Sequence, residues 1–177
     1  MNKTLLSAAL VAVIATAAFA PTAQAANSGT INFTGKVLAD TCTVGVNGGA
    51  TVALPTVMTA AFGSTVGTTA GATPFTVALS GCDNNITKAN MAFTAGTNVD
   101  ASTGNLKNAT GGGANVQIQL LNSTSEVINT ATNVHSPIIN VTAGAGSTQL
   151  TAQYISTATA TTAGLVTSTV GFTLTYL

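Results

Sequence analysis

Arginine and tryptophan are absent from these 177 residues, and only 5% of them carry a charge. Four lysines and four acidic residues cancel to a formal net charge of zero at pH 7. A chain so poor in cations has no patch to neutralise phosphates, which argues against nucleic acid as a partner. Nor does it carry a basic cluster for anionic lipid. His135 is the single histidine, and Cys42 and Cys82 are the two cysteines, so a zinc site lacks ligands. Asp83, Asp100 and Glu126 are too scattered to suggest paired carboxylates or a calcium loop. The many hydroxyls lack the paired base that would make one a nucleophile. The expectation is a protein without metal, cofactor or catalysis. Beyond residue 25 no apolar run is long enough to span a bilayer. So little charge also gives little protection against association. A subunit that hides most of its surface against neighbours can do without it.

What is present begins with an export signal. Lys3 supplies a positive start, Leu5 to Ala20 an apolar stretch, and Ala23-Gln24-Ala25 a small-x-small cleavage site. Cleavage before Ala26 leaves 152 residues, a length suited to one domain with a sizeable core. In an exported chain Cys42 and Cys82 are expected to form a disulfide. Closing a loop of about 40 residues stabilises by at most roughly 4 kcal/mol.

Strand signals outnumber helix signals. Thr, Val, Ile and Phe dominate, and Gly or Asn punctuates the runs. The reading places strands in 38–46, 51–54, 74–82, 90–96, 115–120, 137–141, 148–155 and 166–177. In 115–120 it points Val116, Ile118 and Leu120 inward and Gln117 and Gln119 outward. A short helix is expected at 57–62, limited by Gly63. The stretch 156–164 reads as a low-complexity loop. Thr110-Gly-Gly-Gly-Ala114 reads as a loop too, because no Lys-Ser or Lys-Thr follows to make a phosphate cradle. His135 reads as an exposed loop residue. Many short strands without intervening helices point to an antiparallel sandwich or barrel.

Both ends of the mature chain carry apolar ribbons. Val170, Phe172, Leu174 and Tyr176 alternate with Gly171, Thr173 and Thr175, so period two puts the large side chains on one strand face. Near the other end Gly29, Ile31, Phe33, Gly35 and Val37 alternate with Thr30, Asn32, Thr34 and Lys36. Such ribbons can join copies of one chain, although the N-terminal one can also be read as an ordinary first strand of its own domain.

These residues together resemble the major structural subunits of type 1-like fimbriae, the pilins of the chaperone–usher pathway. The marks are the alternating 30–37 stretch ahead of the first cysteine, the Cys42/Cys82 pair, the Asn115-Val-Gln-Ile-Gln119 strand, Gln153-Tyr154 and the penultimate Tyr176. The resemblance implies an all-β, immunoglobulin-like sandwich lacking its last strand, completed by a strand donated from a neighbouring subunit. It implies three segments: a signal peptide at 1–25, a donor-strand extension at 26–37 and a pilin domain at 38–177. Ile31, Phe33 and Val37 would be the donated plugs, with Gly35 where the groove is too tight for a Cβ. Val170, Phe172, Leu174 and Tyr176 would form one groove wall and the strand a chaperone grips. Because the sequence ends with that strand, nothing after it is expected to close the core. The implied partners are identical or related pilins, a periplasmic chaperone and an outer-membrane usher, and the implied location is a fimbria on the cell surface. A minor adaptor subunit, or a receptor-binding adhesin of the same pathway, is the alternative. The adhesin is disfavoured because 152 residues leave no room for a separate lectin domain.

Overall fold

The computed structural model describes residues 30–35, 41–46, 51–109, 112–113 and 115–177. The signal sequence, Gly29, Lys36, Val37 and residues 38–40 lie outside the described residues, as do Thr110, Gly111 and Ala114. The chain divides into two units, Met1–Lys36 and Val37–Leu177. In the first unit Thr30 to Gly35 belong to no strand or helix and are exposed, with Ile31 at 78% and Phe33 at 90%.

The second unit is built of strands. They are β1 (Thr43–Val46), β2 (Thr69–Ser80), β3 (Lys88–Thr94), β4 (Leu106–Lys107), β5 (Val116–Leu121), β6 (Val127–Ile128), β7 (Ile138–Thr142), β8 (Ala145–Ser156) and β9 (Gly171–Tyr176). All pairings among them are antiparallel. One sheet runs β1-β2-β8-β5, with β4 and β6 beside β5. The other runs β7-β3-β9. The β7–β8 hairpin joins the two sheets, pairing Val141 with Gly146 and Thr142 with Ala145. Its two-residue turn, Ala143 and Gly144, has φ of 51° and 77°, the double positive φ that matches strand twist in a tight hairpin. The Gly144 carbonyl accepts a hydrogen bond from the Cys82 amide at 3.0 Å.

Alternation builds the core. Phe75, Val77 and Leu79 of β2, Met91 and Phe93 of β3, Ile118 and Leu120 of β5, and Leu150 and Ala152 of β8 are all buried. Side chains two apart share a face, so each strand sends one set inward and leaves the other to water. Cys42 and Cys82 form a disulfide that ties the entry of β1 to the exit of β2. Among the described residues, no helix is long and apolar enough to cross a membrane.

Several expectations shift at their edges. β2 starts at Thr69 rather than Pro74, because its register slips between Ala70 and Thr73 and hides the alternation. Gly71 sits at that slip with φ of 67°, and a Cβ there would lie 3.0 Å from the Tyr154 ring. Such a bulge takes a glycine for both reasons. The expected helix at 57–62 is only a 3-10 turn, Thr59–Phe62, ended by Gly63. Gln119 is buried rather than outward, because Gln153 donates to its Oε1 at 2.8 Å across the β5–β8 pair. The expected strand at 51–54 joins no ladder.

Candidate functional site: an open slot between two chain edges

β9 has a paired side and a free side. Leu177 and Lys88 exchange two backbone hydrogen bonds, N–H to C=O at 2.9 Å and 3.3 Å. They are therefore a hydrogen-bonded pair of the antiparallel ladder, and the pattern repeats every second residue. Thr175, Thr173 and Gly171 face β3 in the same way, opposite Asn90, Ala92 and Thr94. The backbone groups of Tyr176, Leu174 and Phe172 must then point the other way. Upstream the same alternation holds. The carbonyls of Leu165 and Thr167 accept from Gly113 and Ala109 at 2.8 Å each, on the outward side. Val166, Ser168 and Val170 are left facing inward along the free edge. The result is one continuous row of backbone donors and acceptors from Val166 to Tyr176 with no strand beside it among the described residues.

Side chains tell the same story. Exposure alternates without a break from Leu165 to Tyr176, and Val166, Val170, Phe172, Leu174 and Tyr176 are half-buried against the core. Half-burial of large apolar groups at a strand edge marks a core with one layer missing.

The facing wall is the stretch after β1. Val52, Leu54 and Val57 are half-buried against the same core. From Thr51 to Val57 the backbone has no hydrogen-bond partner among the described residues. Between the walls lie two openings. One, of about 420 Å³, has Phe75, Val77, Met91, Phe93, Ile118 and Leu150 as its floor and Val52, Leu54, Val170 and Phe172 at its sides. The other, of about 750 Å³, continues past Pro55, Val57 and Phe62 to Tyr154 and Thr161–Val166. Burial pushes the Tyr154 phenol pKa up, as an apolar setting should. Two buried hydroxyls have no hydrogen-bond partner among the described residues: Ser168 Oγ beside the first opening and Thr161 Oγ1 beside the second.

Of the residues singled out in the sequence, Phe172, Leu174 and Tyr176 lie on β9, and Val170 immediately precedes it, all on the slot's wall. Ile31, Phe33 and Gly35 lie in the other unit, and Val37 is outside the described residues. The opposite wall, Val52, Leu54 and Val57, has no role that the sequence alone assigns. Its signal was visible, since Val52 and Leu54 alternate in a run that Pro55 ends.

Among the described residues, charged side chains build no second site. Asp100 accepts from Ser102 and Gln117, which hold its carboxyl well below the usual range. Asn122 and Thr124 lower Glu126 in the same way, helped by His135 at 3.9 Å. These contacts order surface loops. Among the described residues, no three His, Cys, Asp or Glu side chains converge as a metal site.

A sandwich with an empty strand position between two unpaired edges defines a class: a subunit whose fold is finished by an added β-strand. The chain matches the fimbrial protein family model over residues 31–177, and it belongs to that family. It is 38% identical over 170 residues to the F17 fimbrial protein of Escherichia coli, covering 90% of this chain and 93% of the relative. Identity to the major fimbrial subunit SMF-1 of Stenotrophomonas maltophilia is 39% over 181 residues, covering 90% and 98%. In fold it is similar to the P pilus rod subunit PapA, with a TM-score of 0.62 over 78% of this chain and all of that one, at 16% identity. It is a fimbrial structural subunit with an incomplete immunoglobulin-like sandwich.

Proposed function

We propose that this subunit polymerises by strand donation: residues 26–37 of one copy fill the slot of the next, making a fibre on the cell surface. The free edge from Val166 to Tyr176 carries the proposal. An extended segment laid against it gains main-chain hydrogen bonds for affinity, and alternate side chains filling pockets for register. The alternating 29–37 ribbon has the required pattern. Burying Ile31, Phe33 and Val37 contributes on the order of 1.5–3 kcal/mol each. Ladder hydrogen bonds add roughly 1 kcal/mol net apiece. Together these rival the stability of a small domain, so a finished joint opens very slowly and its formation needs no catalysis.

The test is complementation. A chain beginning at residue 38 should bind a synthetic 26–37 peptide one to one. With the peptide at about 100 times its Kd, the gain is roughly 2.7 kcal/mol, which raises the melting temperature by about 5–10 °C. A peptide with Thr at positions 31 and 33 should leave it unchanged. A chain that is stable and closed without residues 26–37 and ignores the peptide would refute strand donation.

Before assembly the same edge would be covered by a periplasmic chaperone, and an outer-membrane usher would exchange that cover for the next subunit. Residues 1–25 serve as the export signal in this scheme. Removing Tyr176 and Leu177 should abolish chaperone capture in a pull-down. Tyr176→Ala keeps the Leu177–Lys88 pairing and so separates recognition from a frayed strand end. Undiminished capture of both variants would exclude this end of β9 as the chaperone's site.

A further inference from the structure

The first half of the slot's free edge is held on its outer side without a strand. Of this edge, β3 pairs with Gly171–Tyr176 and with nothing upstream of it among the described residues. Upstream of Gly171, asparagine side chains and a glycine-rich loop do the holding. Asn108 Oδ1 accepts from the Thr167 amide at 2.8 Å, and Asn108 Nδ2 donates to the Leu165 carbonyl at 3.1 Å and to the Gly113 carbonyl at 2.8 Å. Beside it, the Ala109 amide donates to the Thr167 carbonyl and the Gly113 amide to the Leu165 carbonyl. Further along, Asn98 Nδ2 donates to Thr169 Oγ1 at 2.8 Å. One amide side chain thus meets the N–H of one residue and the C=O of the residue two before it. A neighbouring strand would meet the same two groups.

Glycine makes that approach possible. A Cβ on Gly113 would lie 2.9 Å from the Thr162 carbonyl, and one on Gly164 would lie 2.6 Å from the Gly113 nitrogen. One on Gly112 would overlap the Leu165 carbonyl and the Asn108 amide. These neighbours are largely backbone, which cannot step aside as a side chain can, so the loop lies flat on 162–167 only because it is glycine. Gly112 and Gly113 thus have a packing reason for being glycine.

The geometry points to Asn108 as a positioning residue of the acceptor edge: its side-chain amide replaces an absent ladder partner and thereby turns the backbone groups of Val166 and Ser168 into the slot. Backbone direction alternates along a strand, so fixing Leu165 and Thr167 outward fixes Val166 and Ser168 inward. The slot then has a preformed edge over its whole length, half set by β3 and half by this amide. Preformed order lowers the entropy lost when a strand docks.

This inference rests on strand donation, and the experiment separates the two. Hydrogen exchange is followed amide by amide in fibres of the full mature chain and in fibres of Asn108→Ala. In parent fibres Val166, Ser168, Phe172 and Leu174 should all be protected relative to unassembled subunits; no protection at any of them would refute strand donation itself. In Asn108→Ala fibres, exchange at Val166 and Ser168 should rise about tenfold or more, while Phe172 and Leu174 keep the parent rates. A uniform rise across all four, or none, would overturn the positioning role, because a merely structural defect loosens the edge evenly. If Asn108→Ala subunits do not accumulate, Asn98→Ala gives the same reading at the Thr169 end. Its expected rise is confined to Ser168 and Val170, and an even rise or no change there overturns the inference equally.

Discussion

Subunits carrying Gly35→Leu will accept a donated strand but donate none. The substitution leaves the slot in Val37–Leu177 untouched, and a Cβ at residue 35 meets no atom within 4 Å in the single chain. Among the described residues of its own unit, nothing therefore requires glycine at that position. In a donated strand, residue 35 falls on the same face as Ile31, Phe33 and Val37, where the family resemblance implies a narrow pocket. Forcing a Leu side chain into a packed site costs about 1–3 kcal/mol where the core can adjust. Where a wall is backbone, the strand also loses ladder hydrogen bonds on both sides of the clash. Purified Gly35→Leu subunits should form no fibres visible by electron microscopy, yet still bind the 26–37 peptide with parent affinity. Mixed with parent subunits they should act as chain ends, so that mean fibre length falls as their fraction rises. A subunit with a charged residue in the slot floor, such as Ile118→Asp, has the opposite defect if it folds. Pairing it with Gly35→Leu should stop at dimers. Fibres of normal length from Gly35→Leu alone would remove Gly35 from the donor strand.

The strands that could be read from sequence are those with an unbroken two-residue period. Phe75-Val77-Leu79, Val116-Ile118-Leu120 and Phe172-Leu174-Tyr176 each name a strand and its inner face. What could not be read depends on partners. β4 and β6 are two residues long, below the length at which a period exists. Thr69–Thr73 belong to a strand only because β8 pairs with them around a bulge. Gln119 is buried only because Gln153 lies opposite. The slot was half legible: the alternation from Val170 to Tyr176 marks one wall as a strand, but no pattern says that its far edge lacks a neighbour. Val52 and Leu54 alternate just as well and join no ladder. A periodic segment without a partner is the trace that a missing strand leaves, and it becomes visible only when the pairings are known. Asn108 and the 112–113 glycines carry no sequence signal at all, since their role depends on how closely 162–167 approaches.

Loss of the disulfide should be nearly as severe as loss of the donor strand, and for a related reason. β1 has four residues and, among the described residues, pairs only with β2. The wall that follows it, Thr51 to Val57, has no backbone partner among the described residues. The Cys42–Cys82 bridge fastens this weakly paired edge to the longer β2. Removing a bridge across about 40 residues costs up to roughly 4 kcal/mol, against a total of about 5–15 kcal/mol for a complete domain. An open sandwich starts below that range's upper end, because one layer of its core is uncovered. Cys42→Ser should therefore lower the melting temperature by roughly 10 °C or more and prevent accumulation of the exported subunit. The double variant Cys42→Ser/Cys82→Ser should behave alike, which distinguishes the lost cross-link from a harmful free thiol. Adding the 26–37 peptide should recover part of the loss, because a strand seated in the slot ties 51–57 to 166–176 from the other side. Equal periplasmic levels of mutant and parent, with equal melting temperatures, would show that β1 and its wall hold without the bridge.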